Sequence, residues 1–381
     1  MENKSILNLS LAVTGLIAAA LGAYTFARFF LNPDRFEPSP IFATTYDSAT
    51  PVPFPVSEPK TITKLPGRIH SFTLSPNMQA IAIATSKGVV LYDLVSHKQL
   101  RTLNEQENSF SVVFSPDGKK LAVGSLIMQD SQAGKPHLVV SDASTSNILF
   151  EPRLGNGDTT MFFGALAWSP DGKFLATSDY GRGLVTFDVQ TGKTISTQED
   201  FLMSPYDIAW SPNGSRLVAT GDMGYGFRRW RVDTDESVRL YDPRVAAFAT
   251  QLAWSSDGKR IASVHADGTL CFWTVSTNRC DGFIKAHFLQ ALSVAWSPDG
   301  TQLATGGGVI RIWDTSTGSL LSSFGLNDGS VYSQLEWLAN GTLISLETGY
   351  AERELTIIRF WNMNNNEIMM EFHGARGMYG E

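Results

Sequence analysis

The sequence predicts an all-β fold, a seven-bladed β-propeller of four-stranded antiparallel blades, preceded by one transmembrane helix. Three observations support this: a charge-free apolar run near the amino terminus, seven copies of a strand-turn-strand pattern, and nine tryptophans confined to two positions of that pattern. A chain of 381 residues is too long for one ordinary hydrophobic core, so a repeat architecture would account for its length.

The apolar run comes first, with 23 uncharged residues from Ser5 to Ala27, between Lys4 and Arg28. As a helix rising ~1.5 Å per residue it would cross a hydrocarbon core of ~30 Å. We therefore expect a membrane anchor over residues 1–31. A cleaved signal peptide and a buried core helix are the alternatives, although the run is longer than the ~7–15 apolar residues of a signal peptide.

A proline-rich segment follows the anchor. Proline fixes φ and lacks an N–H donor, so residues 32–60 predict a semi-rigid extended spacer; a proline-rich ligand for a partner is the other interpretation. Seven of the 17 prolines lie here: Pro33, Pro38, Pro40, Pro51, Pro53, Pro55 and Pro59. The short head before the apolar run resembles a signal anchor, which predicts a single-pass membrane protein with the remainder, residues 61–381, outside the cytoplasm.

The repeat consists of alternating apolar residues, a turn resembling Ser-Pro-Asp-Gly, and a second apolar run. Its copies include VFSPDGKKLAVGS, AWSPDGKFLATSD and AWSPDGTQLATGGG. The residues just before the seven turns are Leu74, Phe114, Trp168, Trp210, Trp254, Trp296 and Trp337. Most spacings between them are about 40–45 residues, which is the period of a four-stranded propeller blade.

A third apolar run in each copy ends in an aromatic residue that an acid often follows, and a further turn leads to a fourth strand. The remaining tryptophans, Trp230, Trp273, Trp313 and Trp361, lie in this third run. A large aromatic residue at a fixed place in each blade would fill the gap between neighbouring twisted sheets. The nine tryptophans are therefore predicted to be structural.

With these motifs the region from Thr61 to the carboxyl terminus resembles the WD-repeat family of β-propellers. Trp313-Asp314 is a true Trp-Asp pair, whereas other copies keep only the aromatic residue or the acid. The resemblance implies a hydrogen-bonded tetrad of His, Asp, Ser or Thr, and Trp, which no copy completes. The fifth copy has Ser263, Asp267 and Trp273 but no obvious histidine, so we expect these blades to depend mainly on apolar packing.

The resemblance also implies that an amino-terminal strand completes the last blade. The segment Thr61–Leu65 suits this role, and Glu367–Phe372 is the competing candidate for the fourth strand of that blade. We favour Thr61–Leu65, because it joins the chain ends and removes an exposed edge.

Composition and motifs exclude several functions. Among all residues 43% are hydrophobic and 18% are charged, which fits neither a disordered chain nor a polytopic membrane protein. The formal net charge of -7 argues against a nucleic-acid partner. Catalytic and phosphate-binding motifs are absent, and the histidines lack metal-ligand spacing. Cys271 and Cys280 cannot form a disulfide framework. We therefore predict no catalytic residue, no cofactor and no metal.

Loops on a rigid scaffold often bind partners. The second copy has extra stretches at Ile127–His137 and Glu151–Met161, and the seventh a longer loop at Thr348–Leu355. In propellers of this kind such loops share one rim, and tyrosine and arginine are enriched at binding hot spots. The candidate partner-binding residues are Tyr180, Arg182, Tyr225, Tyr350 and Arg353.

These observations favour a non-enzymatic scaffold that is tethered to a membrane through its amino-terminal helix and binds a protein or peptide partner. Two alternatives remain open. One is a propeller hydrolase or lyase with a polar or metal site in the central channel, because a fold does not dictate a function. The other is an accessory subunit of a membrane complex.

Overall fold

A computed structural model of the chain describes residues 62–105, 107–129, 132–152, 154, 165–179, 183–198, 205–221, 226–325, 330–349, 355–364 and 367–375. The predicted anchor and the whole of the predicted spacer lie outside these residues. No helix of the described part of the chain has the length and apolar character needed to cross a bilayer.

The described residues form a seven-bladed propeller in which each blade is an antiparallel meander of four consecutive strands. The innermost strands are β2 (Ile69–Leu74), β6 (Asn108–Phe114), β10 (Leu166–Trp168), β14 (Ile208–Trp210), β18 (Ala249–Trp254), β22 (Ser293–Trp296) and β26 (Val331–Trp337). The second strands are β3 (Ala80–Thr85), β7 (Lys120–Gln129), β11 (Phe174–Asp179), β15 (Arg216–Ala219), β19 (Arg260–His265), β23 (Gln302–Gly306) and β27 (Thr342–Thr348).

The outer half of each blade completes the meander. The third strands are β4 (Gly88–Asp93), β8 (Gln132–Asp142), β12 (Gly183–Asp188), β16 (Phe227–Arg231), β20 (Thr269–Thr274), β24 (Ile310–Asp314) and β28 (Thr356–Asn362). The fourth strands are β5 (Lys98–Leu103), β9 (Ile148–Phe150), β13 (Thr194–Gln198), β17 (Ser237–Leu240), β21 (Arg279–Lys285), β25 (Leu320–Phe324) and β29 (Glu367–His373).

The Ser-Pro-Asp-Gly sequence forms the turn between the first and second strands. In blade 2 the Ser115 hydroxyl donates to Asp117 Oδ1 at 2.6 Å and accepts the N–H of Lys120 at 2.9 Å. Asp117 also accepts the N–H of Lys119, and Gly118 adopts a φ of 71°, which glycine tolerates without strain. The turn residues therefore satisfy one another, which explains why the sequence is repeated.

Two rims of the propeller follow from this meander. The rim with the Ser-Pro-Asp-Gly-type turns is the turn rim. The opposite rim, where innermost strands begin and second strands end, is the loop rim. The connections between blades and between second and third strands therefore share the loop rim, as predicted from the sequence.

Packing between the blades forms the core. The described residues contain seven apolar clusters, one at each interface between neighbouring blades. All nine tryptophans occupy the two predicted positions, the last residue of an innermost strand or a place on a third strand. Trp273, for example, is 1% exposed and meets Phe227 of blade 4 edge to face at 5.3 Å between ring centroids. The structural role predicted for the tryptophans is confirmed for this residue.

Ring closure differs from the prediction. The fourth strand of blade 7 is β29, and the amino-terminal strand β1 (Ile62–Lys64) pairs with its outer edge as a fifth strand. The pairing is parallel because both strands run towards the loop rim, where β2 begins. The two segments treated as competitors therefore occupy neighbouring places, and the preference for the amino-terminal segment as the fourth strand was wrong.

The first extra stretch of the second copy also differs from expectation. Strands β7 and β8 continue through it, so that Ile127 pairs with Lys135 and Gln129 with Gln132. The stretch is thus an extended β-hairpin rather than a loop. Most of the second stretch lies outside the described residues.

Candidate functional site: the central channel and the loop rim

The innermost strands surround a central cavity of about 530 Å³. Phe110 and Tyr206 contribute aromatic surface to its wall. The polar side chains in the wall are His70, Ser71, Thr73, Ser111, Asp207, Gln251, Ser333, Gln334 and Glu336.

Several polar side chains at the channel join one blade to the next. Asp207 Oδ2 accepts the N–H of Leu252 at 2.8 Å, which connects blade 4 to blade 5. Gln334 connects blade 7 to blade 1, because it accepts the N–H of Phe72 at 3.2 Å and donates to the carbonyl of Phe72 at 2.8 Å. Hydrogen bonds of the same kind join Gln251 to Val294 and Ser293 to Tyr332. Much of the polarity of the channel wall therefore serves to hold the ring together.

The innermost tryptophans make a second set of bonds between blades. The indole N–H donates to a main-chain carbonyl of the preceding blade at 3.0–3.2 Å. The donors are Trp168, Trp210, Trp254 and Trp296. Trp337 occupies the same position in blade 7, but its buried indole nitrogen has no hydrogen-bond partner in the described chain.

Burial shifts the pKa values of four groups in the channel wall, including an upward shift at Tyr206. It raises the pKa of Asp207 to about 6, against the effect of the main-chain donors, and that of Glu336 to about 7. Burial, assisted by Arg68, lowers the pKa of His70 to about 4, which keeps the ring neutral at physiological pH. In the described residues no group of three or more histidine, cysteine or carboxylate side chains could hold a metal ion.

The third-strand tryptophans anchor polar chains inside the blades. In blade 5 the indole N–H of Trp273 donates to the Ser263 hydroxyl at 2.7 Å, and that oxygen lies 2.8 Å from Nε2 of His265. His265 thus supplies the histidine that the sequence pattern did not reveal, because it follows the serine by two residues on the same strand. In blade 6 Trp313 and His287 both bond to Thr305 at 2.9 Å. Buried polar networks thus supplement the apolar packing expected from the sequence.

Blade 7 contains a buried ionic ladder at the equivalent place. Arg359 pairs with Glu347 and lies 2.6 Å from Glu371, and all three side chains are at most 7% exposed. The second oxygen of Glu371 contacts Nε2 of His373 at 2.6 Å. The ladder crosses β27, β28 and β29, and thus holds together the blade that joins the two ends of the propeller.

A histidine between two carboxylates lies near the loop rim of blade 2. His137 Nδ1 is 3.1 Å from Glu107, and its Nε2 is 4.0 Å from Glu151. The hydrogen bond that His137 donates to Glu107 raises the pKa of His137, whereas burial opposes this shift. The residues are far apart in the sequence, and no local motif connects them.

The five candidate partner-binding residues, Tyr180, Arg182, Tyr225, Tyr350 and Arg353, lie outside the described residues. Each falls in a connection between the second and third strands of blade 3, 4 or 7. Whether they form one surface therefore stays a prediction.

The structure also describes the two cysteines and an arginine-rich segment of blade 4 that runs from Arg228 to Arg244. Cys271 and Cys280 are both buried free thiols. Arg231 pairs with Asp233 at 2.8 Å, and Arg244 pairs with Asp242 at the same distance. These arginines are therefore matched by neighbouring acids.

Comparison with known proteins supports the assignment of the repeats. The family described as WD domain, G-beta repeat, matches residues 246–274 and 278–314, which lie in blades 5 and 6. The chain contains WD40 repeats. The seven-bladed architecture agrees with this match, because the other five blades have the same four-stranded arrangement as blades 5 and 6.

Several curated proteins are similar to this chain. The WD repeat-containing protein slp1 of Schizosaccharomyces pombe is 27% identical over 290 residues, which cover 65% of this chain and 59% of slp1. Cell division cycle 20.1, cofactor of APC complex, of Arabidopsis thaliana is 25% identical over 52% of this chain and 45% of its own length. The WDS homolog of Arabidopsis thaliana is 31% identical over 30% of this chain and 23% of its own length. The chain thus spans about half the length of the first curated relatives it matches.

Proposed function

We propose that this chain is a non-enzymatic protein-interaction scaffold, tethered to a membrane by its amino-terminal segment, whose WD40 propeller binds a protein or peptide partner at the loop rim. The observation that carries the proposal is that polar side chains at or next to the innermost strands join one blade to the next. Asp207, Gln251, Ser293 and Gln334 join successive blades. These polar side chains thus make hydrogen bonds that hold the blades together, and a rigid ring suits a scaffold that presents loops.

Similarity to other proteins supports the same function. One relative is described as a cofactor of the APC complex, a name that denotes action within a protein assembly. We extend from it only the general property of binding other proteins. The tether and an extracytoplasmic position of the propeller rest on the charge-free run of Ser5–Ala27.

The test is affinity purification of the intact chain from its native membrane in mild detergent, followed by identification of co-purifying proteins. Alanine replaces Tyr180, Arg182, Tyr350 and Arg353 in the rim variant, which should lose the partner. A matched control replaces Lys119, Lys173 and Lys259, three exposed residues of the turn rim, and should retain it. Equal recovery by both variants would refute the assignment to the loop rim.

Two further arms test the tether and the catalytic alternative. Extraction of the membranes with alkaline carbonate should leave the chain in the membrane pellet. Complete release of the chain into the supernatant would overturn the proposed tether. Elemental analysis of the purified protein should show no stoichiometric metal, since a bound metal would favour a channel enzyme. Recovery of a fixed set of membrane proteins, unaffected by the rim variant, would instead indicate an accessory subunit.

A further inference from the structure

The starting point is a carboxylate without a partner. Glu336 lines the central channel one residue before the end of β26. In the described chain its carboxylate makes no hydrogen bond and no ion pair. The equivalent positions of the other blades hold only uncharged residues: Thr73, Val113, Ala167, Ala209, Ala253 and Ala295. Blade 7 therefore has an acidic residue at the position where each of the other six blades has a small, neutral residue.

Among the described residues, the wall of the channel has no cation that could neutralise this group. The other titratable side chains in the wall are His70, Tyr206 and Asp207. His70 is neutral at physiological pH because its pKa is about 4, and burial raises the pKa of Tyr206. Asp207 is itself acidic and accepts a main-chain N–H. The described wall thus carries carboxylates without a cation, which favours a positively charged ligand.

The part of the wall nearest the loop rim adds apolar and polar features suited to a side chain of a peptide. His70 and Phe110 form a ring pair with centroids 4.9 Å apart, and Tyr206 and Phe248 form another at 5.8 Å. Aromatic faces can contact a guanidinium plane or an aliphatic stem. The Ser71 hydroxyl is buried in the same wall and makes no hydrogen bond in the described chain. Such a hydroxyl can bond to the main chain of a ligand.

The depth of the channel suits a long side chain. Ser333 lines the channel three residues before Glu336 on the same strand. A strand rises ~3.3 Å per residue, so the main chain of Glu336 lies at most about 10 Å below that of Ser333, and less because the register shifts between Tyr332 and Gln334. A long basic side chain and the Glu336 side chain can together bridge this distance.

We propose that the central channel binds a basic side chain, arginine or lysine, presented by a protein or peptide partner, with Glu336 as the carboxylate that pairs with it. This inference rests on the proposed function, since it names the chemistry by which a partner engages the propeller. The charge of the ligand compensates the half-buried carboxylate of Glu336, and the aromatic faces hold the aliphatic stem of the ligand.

The experiment uses the full-length chain in detergent and three acetylated alanine pentapeptides that differ only at the central residue: arginine, lysine or citrulline. Binding is measured by saturation-transfer NMR titration. The arginine and lysine peptides should bind at least about tenfold more tightly than the citrulline peptide, which lacks the positive charge. Equal binding of the arginine and citrulline peptides would overturn the proposal.

The Glu336→Gln variant tests the residue itself. It should lose roughly tenfold in affinity for the arginine peptide and keep its affinity for the citrulline peptide. Glu105→Gln, at an exposed position, makes the same change of charge and should bind like the unmodified chain. Near-ultraviolet circular dichroism confirms that each variant is folded. A folded Glu336→Gln variant with unchanged binding of the arginine peptide would refute the role of this carboxylate.

The pH dependence provides a second readout. Since the pKa of Glu336 is about 7, its carboxylate is mostly protonated at pH 6 and mostly ionised at pH 8. Affinity for the arginine peptide should therefore fall as the pH is lowered from 8 to 6.5, a range above the pKa of Asp207, which is about 6. The Glu336→Gln variant should show a flat profile, and a slope equal to that of the unmodified chain would contradict the proposal.

Failure of this inference can be separated from failure of the proposed function. If a partner is recovered from the membrane but no basic peptide binds, the scaffold function stands and the channel inference fails. If the basic peptides bind through Glu336 but the intact chain recovers no partner, the channel binds cations and the scaffold function fails.

Discussion

The buried ionic ladder of blade 7 leads to the sharpest prediction about stability. Replacing Arg359 by methionine leaves Glu347 and Glu371 without their shared cation, and both carboxylates are almost fully buried. Breaking a buried ion pair by removing one partner costs about 3–5 kcal/mol. We expect the free energy of unfolding to fall by that amount, a large share of the ~5–15 kcal/mol typical of folded proteins.

Urea unfolding of the full chain, followed by tryptophan fluorescence, measures this loss. The midpoint should fall by about 1 M or more. A triple variant that also replaces Glu347 and Glu371 by leucine should recover much of the stability, because no buried charge remains. The matched control is Arg231→Met, which removes the exposed partner of Asp233 and should leave the midpoint unchanged. A midpoint of Arg359→Met equal to that of this control would refute the reasoning.

Two matched pairs test the packing between blades. Trp210→Phe removes an indole hydrogen bond to the preceding blade and should lower the free energy of unfolding in urea by about 1–2 kcal/mol. Trp337→Phe removes a buried indole nitrogen that has no partner in the described chain and should cost less. Equal losses would contradict the importance of the bond. Gly268 and Gly341 share a φ of +83°, but a Cβ at Gly268 would lie 2.2 Å from a carbonyl oxygen and a Cβ at Gly341 would meet nothing within 4 Å. Gly341→Ala should therefore cost about 1–2 kcal/mol and Gly268→Ala clearly more, as compared by thermal unfolding; indistinguishable losses would show that the contact at Gly268 relaxes freely.

The blade architecture could be predicted because its determinants are local. Each Ser-Pro-Asp-Gly-type turn contains its own hydrogen-bond partners, as Ser115 and Asp117 show. The turn can therefore be recognised from a few consecutive residues of the sequence. The tryptophans recur at two fixed places of the repeat, one in blade 3 and two in each of blades 4 to 7, which makes their positions visible as a period. Their packing role follows from size and burial, and Trp273 confirms it.

The partners of the polar residues could not be predicted, because they come from distant parts of the chain. Gln334 bonds to Phe72 across 262 positions, and His137 meets Glu107 across 30. The histidine of blade 5 was missed for a different reason. His265 lies two residues after Ser263 on the second strand, and only the alternation of a strand brings the two side chains to the same face.

The sequence by itself determined the fold class, the seven repeats, the places of the tryptophans and the apolar run that predicts an anchor, since each depends on local pattern or composition. The tertiary structure alone decided that β29 is the fourth strand of blade 7 and that β1 pairs with its outer edge. It also decided that Glu336 lines the channel without a hydrogen bond or ion pair to any described residue. The strands that line the channel are distant in the sequence, so the surroundings of this carboxylate are set only when the blades come together.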